Sequence, residues 1–252
     1  MFQNQKEWPS RRNRRFDLSI IRKLLVFGAP GGLQACVRSA AFAIVLMFFG
    51  FLGDMSLASA TLAMTINNIA FIPLLGLMDA ASVITGKYIG ERKISVAAKI
   101  SGRSMLMLSV YMTAMGVIYL AVPDLLINLF KPEMKSGIDF TEVRNMVRII
   151  LVCQLVQNYF DGLRFIVSGS LRGAGDTKIP LLLSILTAWL VQVPMAYLLT
   201  CAYRAPIWLA WAGAITLYVI VDAIVIQIRK NTGAWKRIKV VSLPPGEDES
   251  EA

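Results

Sequence analysis

The sequence contains no histidine, and this absence removes several classes of function at once. Hydrolases with a histidine base, zinc sites with histidine ligands and the common histidine proton relay all need an imidazole. The three cysteines, Cys36, Cys153 and Cys201, lie far apart, within or beside apolar runs. Their spacing gives neither a disulfide framework nor a CxxC metal site, so no cofactor and no bound metal are expected.

Charged residues are also scarce. They make up 17% of the 252 residues, against 56% hydrophobic residues, and the mean hydropathy is +0.59. A soluble domain of this size carries far more charge, so the composition predicts an integral membrane protein surrounded by a lipid bilayer. The net charge is +10, but the basic residues cluster between apolar runs, so nucleic acid is not expected as a partner.

Long apolar runs recur six times along the chain. A bilayer core about 30 Å thick needs about 20 residues of helix to cross it. No segment shows the alternation of a strand, and an open sheet cannot satisfy its backbone hydrogen bonds in lipid. The predicted fold is therefore an all-α integral membrane bundle of six transmembrane helices. The predicted spans are residues 24–52, 57–85, 104–122, 143–168, 179–201 and 207–228.

The distribution of positive charge predicts the orientation. Of the 26 Lys and Arg residues, 20 lie in segments on the same side of the membrane as the N-terminus, five lie on the other side, and Arg38 lies inside the first span. Because positive residues are retained on the cytoplasmic side, both termini are predicted to be cytoplasmic. The predicted layout is a basic cytoplasmic connector (1–23), a six-helix membrane lobe (24–230) and a cytoplasmic tail with a disordered end (231–252).

Polar side chains inside the spans mark the predicted functional interior, because exposing them to lipid is costly. On the fourth span they recur every three or four positions and so share one helical face. On the first span two of them lie one turn apart, beside a break rich in glycine and proline that can bend the helix. The candidate residues for binding a substrate or an ion are Gln34, Arg38, Asn67, Asn68, Gln154, Gln157, Asn158, Asp161 and Arg164.

Structural roles compete with functional ones at these positions. Asp161 is explained equally well by an ion pair, with Arg164 or with Arg38, as by a part in transport. Arg38 is better explained as a counter-ion than as a substrate contact. For Asn67 and Asn68 the simpler explanation is a hydrogen bond between helices.

Two further carboxylates, Asp79 and Asp222, fall within a few turns of the predicted cytoplasmic ends of their helices. Lys and Arg are abundant there, so anchoring at the membrane surface is the favoured role for both. Asp161 and Asp222 do not resemble the paired Asp motifs of intramembrane aspartyl proteases, and a rhomboid-type protease needs a histidine beside its serine. Enzymatic activity is therefore not expected.

Several short motifs resemble those of one transporter family. The turn after the fourth span reads SGSLRGAGDTKIP over residues 168–180. Four further motifs occur in the order and spacing of the family: FGAPGGL (27–33), FIP (71–73) with Gly76, TGKYIG (85–90) and WKRI (235–238). Together they resemble, over nearly the whole chain, the C-terminal six-helix lobe of the multidrug and toxic compound extrusion (MATE) family.

The resemblance implies a 12-helix antiporter built from two six-helix lobes, which exports cationic amphipathic compounds through the cleft between the lobes while H⁺ or Na⁺ flows back. This chain would supply one lobe and would need the missing N-terminal six-helix lobe or a second copy of itself. It would then be a fragment of a longer protein, a truncated reading frame or a half-size protein. The implied location is the inner (plasma) membrane of a prokaryote.

The resemblance also implies roles for particular residues. Family members that couple to cations often carry a carboxylate on the helix before the SGSLRG turn, and Asp161 stands at that position. On the first span some members carry a Glu, at a position that falls on Arg38 or, in another subgroup, on Gln34. Arg38 would then act as a tethered cation beside Asp161, which argues against Na⁺ coupling in this lobe.

Two other functions fit the same six-helix lobe. A lipid or lipid-linked oligosaccharide flippase of the same superfamily would share the helices, the turns and the cleft, and a cleft dominated by Arg and Lys would identify it. A cleft lined by aromatic residues, amides and a carboxylate favours efflux. The candidate set is mixed, and efflux is favoured over the flippase. A purely structural six-helix subunit is the remaining alternative.

Overall fold

Seven helices make up the part of the chain that the computed structural model describes, namely residues 18–91, 93–130, 140–233 and 235. Each of the six long helices covers one of the predicted apolar runs, and the predicted all-α six-helix membrane bundle is confirmed. The basic stretch before residue 18 and the tail after residue 235 lie outside the described residues. The helices are α1 (Leu18–Gly50), α2 (Asp54–Gly90), α3 (Ile94–Ala121), the short α4 (Pro123–Leu129), α5 (Phe140–Gly173), α6 (Lys178–Ala202) and α7 (Ile207–Asn231).

Four of the long helices, α2, α3, α6 and α7, are long and apolar enough to cross a membrane by length and composition alone. In α1 the apolar part found among the described residues is the shorter stretch Ala35–Gly50. In α5 the amides and charged residues of the polar face lower the hydropathy of the whole helix. Such a helix can still lie in a membrane when its polar face turns toward the interior of the protein.

The short helix α4 was not among the predicted elements. Pro123 begins it, at a position where the missing N–H costs no hydrogen bond, and Ile127 is fully buried in the bundle. Asp124 accepts a hydrogen bond from Arg148 Nε of α5 at 3.1 Å, and this arginine holds the pKa of Asp124 below its ordinary value. The carboxylate therefore stays ionised at neutral pH, and the link between α4 and α5 weakens only as the pH falls through the lowered pKa.

Helices α2 and α5 pack against each other at the centre of the bundle. Their backbones approach closely where α5 carries glycine. A Cβ atom at Gly169 would lie 2.5 Å from the carbonyl oxygen of Met78, and one at Gly173 would lie 2.2 Å from the carbonyl oxygen of Ser82. Small residues permit such contacts between membrane helices. Fully buried side chains that fill the core on these two helices include Ile66, Leu74, Ile150, Leu151 and Ile166.

The SGSLRGAGDTKIP turn joins α5 to α6, and the structure explains the residue type at two of its positions. Gly175 has a φ of +84°, which glycine adopts more readily than other residues. The Asp176 carboxylate is buried and accepts a hydrogen bond from Arg229 Nε of α7 at 2.9 Å. The turn therefore ties the ends of three helices together.

Both α6 and α7 contain wider, π-helical turns, which interrupt the regular α-helical pattern and often occur at functional sites. They lie at Ala188–Gln192 and Leu198–Ala202 in α6 and at Ala212–Thr216 in α7. Pro194 follows the first of them and cannot donate a backbone hydrogen bond. The first π turn ends at Gln192, which is buried in the bundle.

Candidate functional site

A buried ion-pair network joins α5 to α7. Arg164 donates from Nη1 to Oδ2 of Asp222 at 2.9 Å, and from Nη2 to Oδ1 of Asp161. Its Nη1 also donates to the hydroxyl of Tyr218 at 3.1 Å. The exposed fractions of Arg164, Asp161 and Asp222 are 5%, 3% and 0%. Charges buried to this extent need partners, and the three residues supply them to one another.

The predicted role of Asp222 as an anchor at the membrane surface is wrong. Its carboxylate faces the interior of the bundle and accepts hydrogen bonds from Thr187 Oγ1 at 2.8 Å and from Ser184 Oγ at 3.3 Å, both on α6. Asp222 and Arg164 together therefore join α5, α6 and α7. Proximity to a helix end suggested the anchor, but the orientation of α7 turns this side chain inward. Asp79, by contrast, is exposed, and its anchoring role stays a prediction.

A cavity of about 380 Å³, the main cavity, opens beside this network. Residues of α1, α2, α5, α6 and α7 form its wall. Aromatic side chains supply much of the apolar surface. The lining includes six of the nine predicted residues, Arg38, Asn67, Asn68, Gln157, Asp161 and Arg164, together with Phe42, Phe71, Gln192, Trp211 and Tyr218.

The amides of α5 divide into two groups. Gln157 lines the main cavity and accepts a hydrogen bond from Trp211 Nε1 at 3.0 Å. Gln154 instead donates to the carbonyl oxygen of Ala63 at 3.1 Å, and Asn158 donates to Oδ1 of Asn67 at 2.7 Å. These two residues hold α5 to α2 and do not line the main cavity. The interhelical hydrogen bond considered for Asn67 is thus present, although Asn67 also lines the cavity.

Arg38 and Asp161 line the same cavity, as expected, but they do not form a direct ion pair. The carboxylate of Asp161 is bound by Arg164. The guanidinium of Arg38 lies 5.4 Å from the centre of the Phe165 ring, and in the described part of the chain it makes no ion pair within 4.0 Å. Arg38 is partly buried and remains a cation without a carboxylate partner there. For the ninth candidate, Gln34, the structure describes the backbone in α1 but not the side chain.

Sequence reasoning missed several residues of this site. Trp211 and Tyr218 belong to the last apolar run, where aromatic residues give no sign of facing a cavity. Gln192 does give a signal, because it is an amide within an apolar span. In the described ranges no group of three or more His, Cys, Asp or Glu side chains could hold a metal ion.

A model of the MatE family matches residues 30–198 of the chain. A probable multidrug resistance protein NorM from Pseudomonas putida is 30% identical over 184 residues, which are 73% of this chain and 39% of that protein. A probable multidrug resistance protein NorM from Mannheimia succiniciproducens is 24% identical over 210 residues, 78% of this chain and 42% of that protein.

Solved structures show the same fold. A MOP superfamily transporter from Pyrococcus furiosus, described as having a binding pocket of reversed polarity, aligns with a TM-score of 0.77 at 22% identity, over 90% of this chain and 50% of its own. An outward-facing MATE family transporter aligns with a TM-score of 0.72 at 21% identity, over 91% and 50%. The chain thus spans about half the length of these relatives. It is an integral membrane protein that belongs to the MATE family.

Proposed function

We propose that the chain forms one lobe of a secondary active transporter, a cation-coupled antiporter that exports amphipathic organic compounds. The observation that carries the proposal is the main cavity, which combines aromatic walls with amides and a buried carboxylate. Flat apolar groups can pack on Phe42, Phe71 and Trp211, and polar groups can bond to Gln157 and Asn68. The multidrug resistance names of the relatives support the same function.

Asp161 is the coupling carboxylate in this proposal. Arg164 has two carboxylate partners, so protonation of Asp161 would still leave Arg164 paired with Asp222. The proton would thus release Asp161 without leaving a buried cation alone, and the carboxylate could exchange a proton for a cationic group of a substrate. We favour H⁺ over Na⁺, because Na⁺ would need several oxygen ligands where Arg164 already stands.

The second wall of the cleft would come from an N-terminal six-helix lobe or from a second copy of the chain. The exposed residues Ser39, Ala43 and Asn68 line the main cavity, as an open half-cleft requires. Substrate would move between the two lobes across the bilayer. In a prokaryote the membrane concerned would be the inner membrane.

A lipid flippase is the second candidate, and one observation favours it. Three arginines line another cavity next to the main one. A lipid headgroup or a lipid-linked phosphate would bind there more readily than a cationic compound. We keep efflux as the proposal because the larger cavity has the mixed lining that suits an amphipathic compound.

In the proposed orientation both termini are cytoplasmic, and the turn between α1 and α2 lies outside. A cysteine placed at Phe51 should react with an impermeant maleimide in intact cells, whereas one at Lys93 should react only after the membrane is opened. Both positions are exposed, and both variants would be built in a chain lacking Cys36, Cys153 and Cys201. The reverse pattern would contradict the orientation.

Asp161→Asn is expected to reduce proton-driven export of ethidium by about tenfold or more, since the amide cannot take up the coupling proton. Export would be measured in cells carrying a complete two-lobe transporter with this chain, at matched expression and at several pH values. Asp79→Asn, which changes an exposed carboxylate, should leave export unchanged. Unaltered rate and pH dependence in Asp161→Asn would assign Asp161 to structure alone.

A further inference from the structure

A second cavity, of about 230 Å³, shares Arg38 and Arg164 with the main cavity and is called the inner cavity. From these two arginines it extends along α1 to Ala35 and along α5 to Arg172, toward the ends of the helices that the charge distribution places in the cytoplasm. Its remaining wall is formed by the apolar residues Leu75, Met78, Phe165 and Ile226 and by the hydroxyl-bearing Ser168 and Ser184.

The charge of the inner cavity is positive. Three arginines line it and no carboxylate does. Asp161 and Asp222, the carboxylates of the ion-pair network, both bind Arg164. Arg38 and Arg172 make none of the ion pairs found among the described residues. Two guanidinium groups at the wall of the inner cavity, those of Arg38 and Arg172, therefore have no carboxylate partner among the described residues.

Arg164, which lines the inner cavity, carries a buried donor without an acceptor. Arg164 uses both terminal nitrogens in the ion-pair network, but its Nε is buried and makes no hydrogen bond in the described part of the chain. A buried N–H group normally has a partner, since leaving it unsatisfied costs free energy. An acceptor for Arg164 Nε is thus missing among the described residues, in addition to carboxylate partners for Arg38 and Arg172.

We infer that the inner cavity binds an anionic group, a phosphate, sulfonate or carboxylate, between Arg38 and Arg172, with Arg164 Nε and the Ser168 hydroxyl as further donors. Guanidinium groups bind such oxyanions through paired, charge-assisted hydrogen bonds. The apolar wall around Leu75 and Met78 suits a hydrocarbon part attached to the anion. The ligand class is therefore an amphipathic anion, either the headgroup of an anionic lipid or a free organic anion.

Occupation of the inner cavity would also change the main cavity, because Arg38 lines both. A bound anion neutralises the one cation of the main cavity that has no carboxylate. It would thereby favour binding of a cationic compound beside Asp161, and that compound would favour the anion by the same factor. This coupling rests on the proposed transport function, whereas the anion site does not.

The test uses the purified chain in nanodiscs of phosphatidylcholine, titrated with inorganic pyrophosphate in a calorimeter. The wild-type chain is expected to bind it, Arg38→Gln to bind it about tenfold more weakly, and Arg38→Lys to fall between the two. Arg172→Gln should have a smaller effect, because Arg172 is exposed. Arg103→Gln removes an exposed positive charge that lines neither cavity and should bind like the wild type.

A second arm separates the two sources of the anion. In nanodiscs that contain phosphatidylglycerol, weaker pyrophosphate binding with retention of the lipid by the wild-type chain identifies a headgroup site. An unchanged affinity identifies a site for a free anion. The inference is overturned if the wild-type chain neither binds pyrophosphate nor retains the lipid, or if Arg38→Gln binds as well as Arg103→Gln. None of these outcomes depends on the export of ethidium.

Discussion

Replacing Arg164 by methionine is expected to destabilise the chain by about 3–5 kcal/mol, because a buried ion pair that loses one partner leaves an uncompensated charge. Here two carboxylates, Asp161 and Asp222, lose the same cation. Unfolding from neutral detergent micelles by sodium dodecyl sulfate, followed by circular dichroism, measures the loss. The unfolding transition should also become less cooperative, because the contacts among α5, α6 and α7 are weakened.

Two further variants make this result specific. Arg148→Met breaks the exposed pair with Asp124 and should cost no more than about 1 kcal/mol, since solvent screens such pairs. The triple variant Asp161→Asn, Arg164→Met, Asp222→Asn removes all three charges and should recover part of the lost stability. A finding that Arg164→Met is as stable as Arg148→Met would show that the network does not hold the bundle together.

Gly173→Ala is expected to destabilise the bundle by about 1–3 kcal/mol or more, the usual cost of overpacking. The added Cβ would lie 2.2 Å from the carbonyl oxygen of Ser82 and 3.1 Å from the amide nitrogen of Gly86. Both atoms belong to the backbone, so a side-chain rotation cannot relieve the contact and α2 must move away from α5. The same detergent titration measures the effect.

Gly102 of α3 is the matched control, since nothing lies within 4 Å of a Cβ built there. Gly102→Ala should leave stability unchanged or raise it by up to about 1 kcal/mol, because alanine favours the helix. If Gly173→Ala behaved like Gly102→Ala, the close approach of α2 and α5 would be wrong.

Local sequence features were enough to predict the bundle. Four of the long helices contain an apolar run of membrane length, and that length is set by the bilayer and not by other parts of the chain. The short helix α4 escaped this reasoning because it is too short to cross a membrane. The polar face of α5 was also predicted correctly, because the three- and four-residue spacing of its amides is a property of one helix.

The sequence could not predict in the same way which residues of the α5 face line the main cavity and which bind a neighbouring helix. Gln154, Gln157 and Asp161 share a face of α5, but that face is wide enough to contact α2 on one side and the main cavity on the other. Which partner a carboxylate meets depends on how neighbouring helices are rotated about their axes. For this reason Asp222, on α7, proved to be the second partner of Arg164 and not a surface anchor.

The proposed transport function makes one claim that labelling can test directly: water and substrate both reach the main cavity. Ser39→Cys, in a chain without its native cysteines, places a thiol on the wall of this cavity, whereas Leu106→Cys places one on the exposed face of α3. We predict that a water-soluble methanethiosulfonate reagent labels Ser39→Cys in membranes, that rhodamine 6G slows this labelling, and that Leu106→Cys reacts little in either condition. Equal labelling at both positions, with no protection by rhodamine 6G, would contradict the claim.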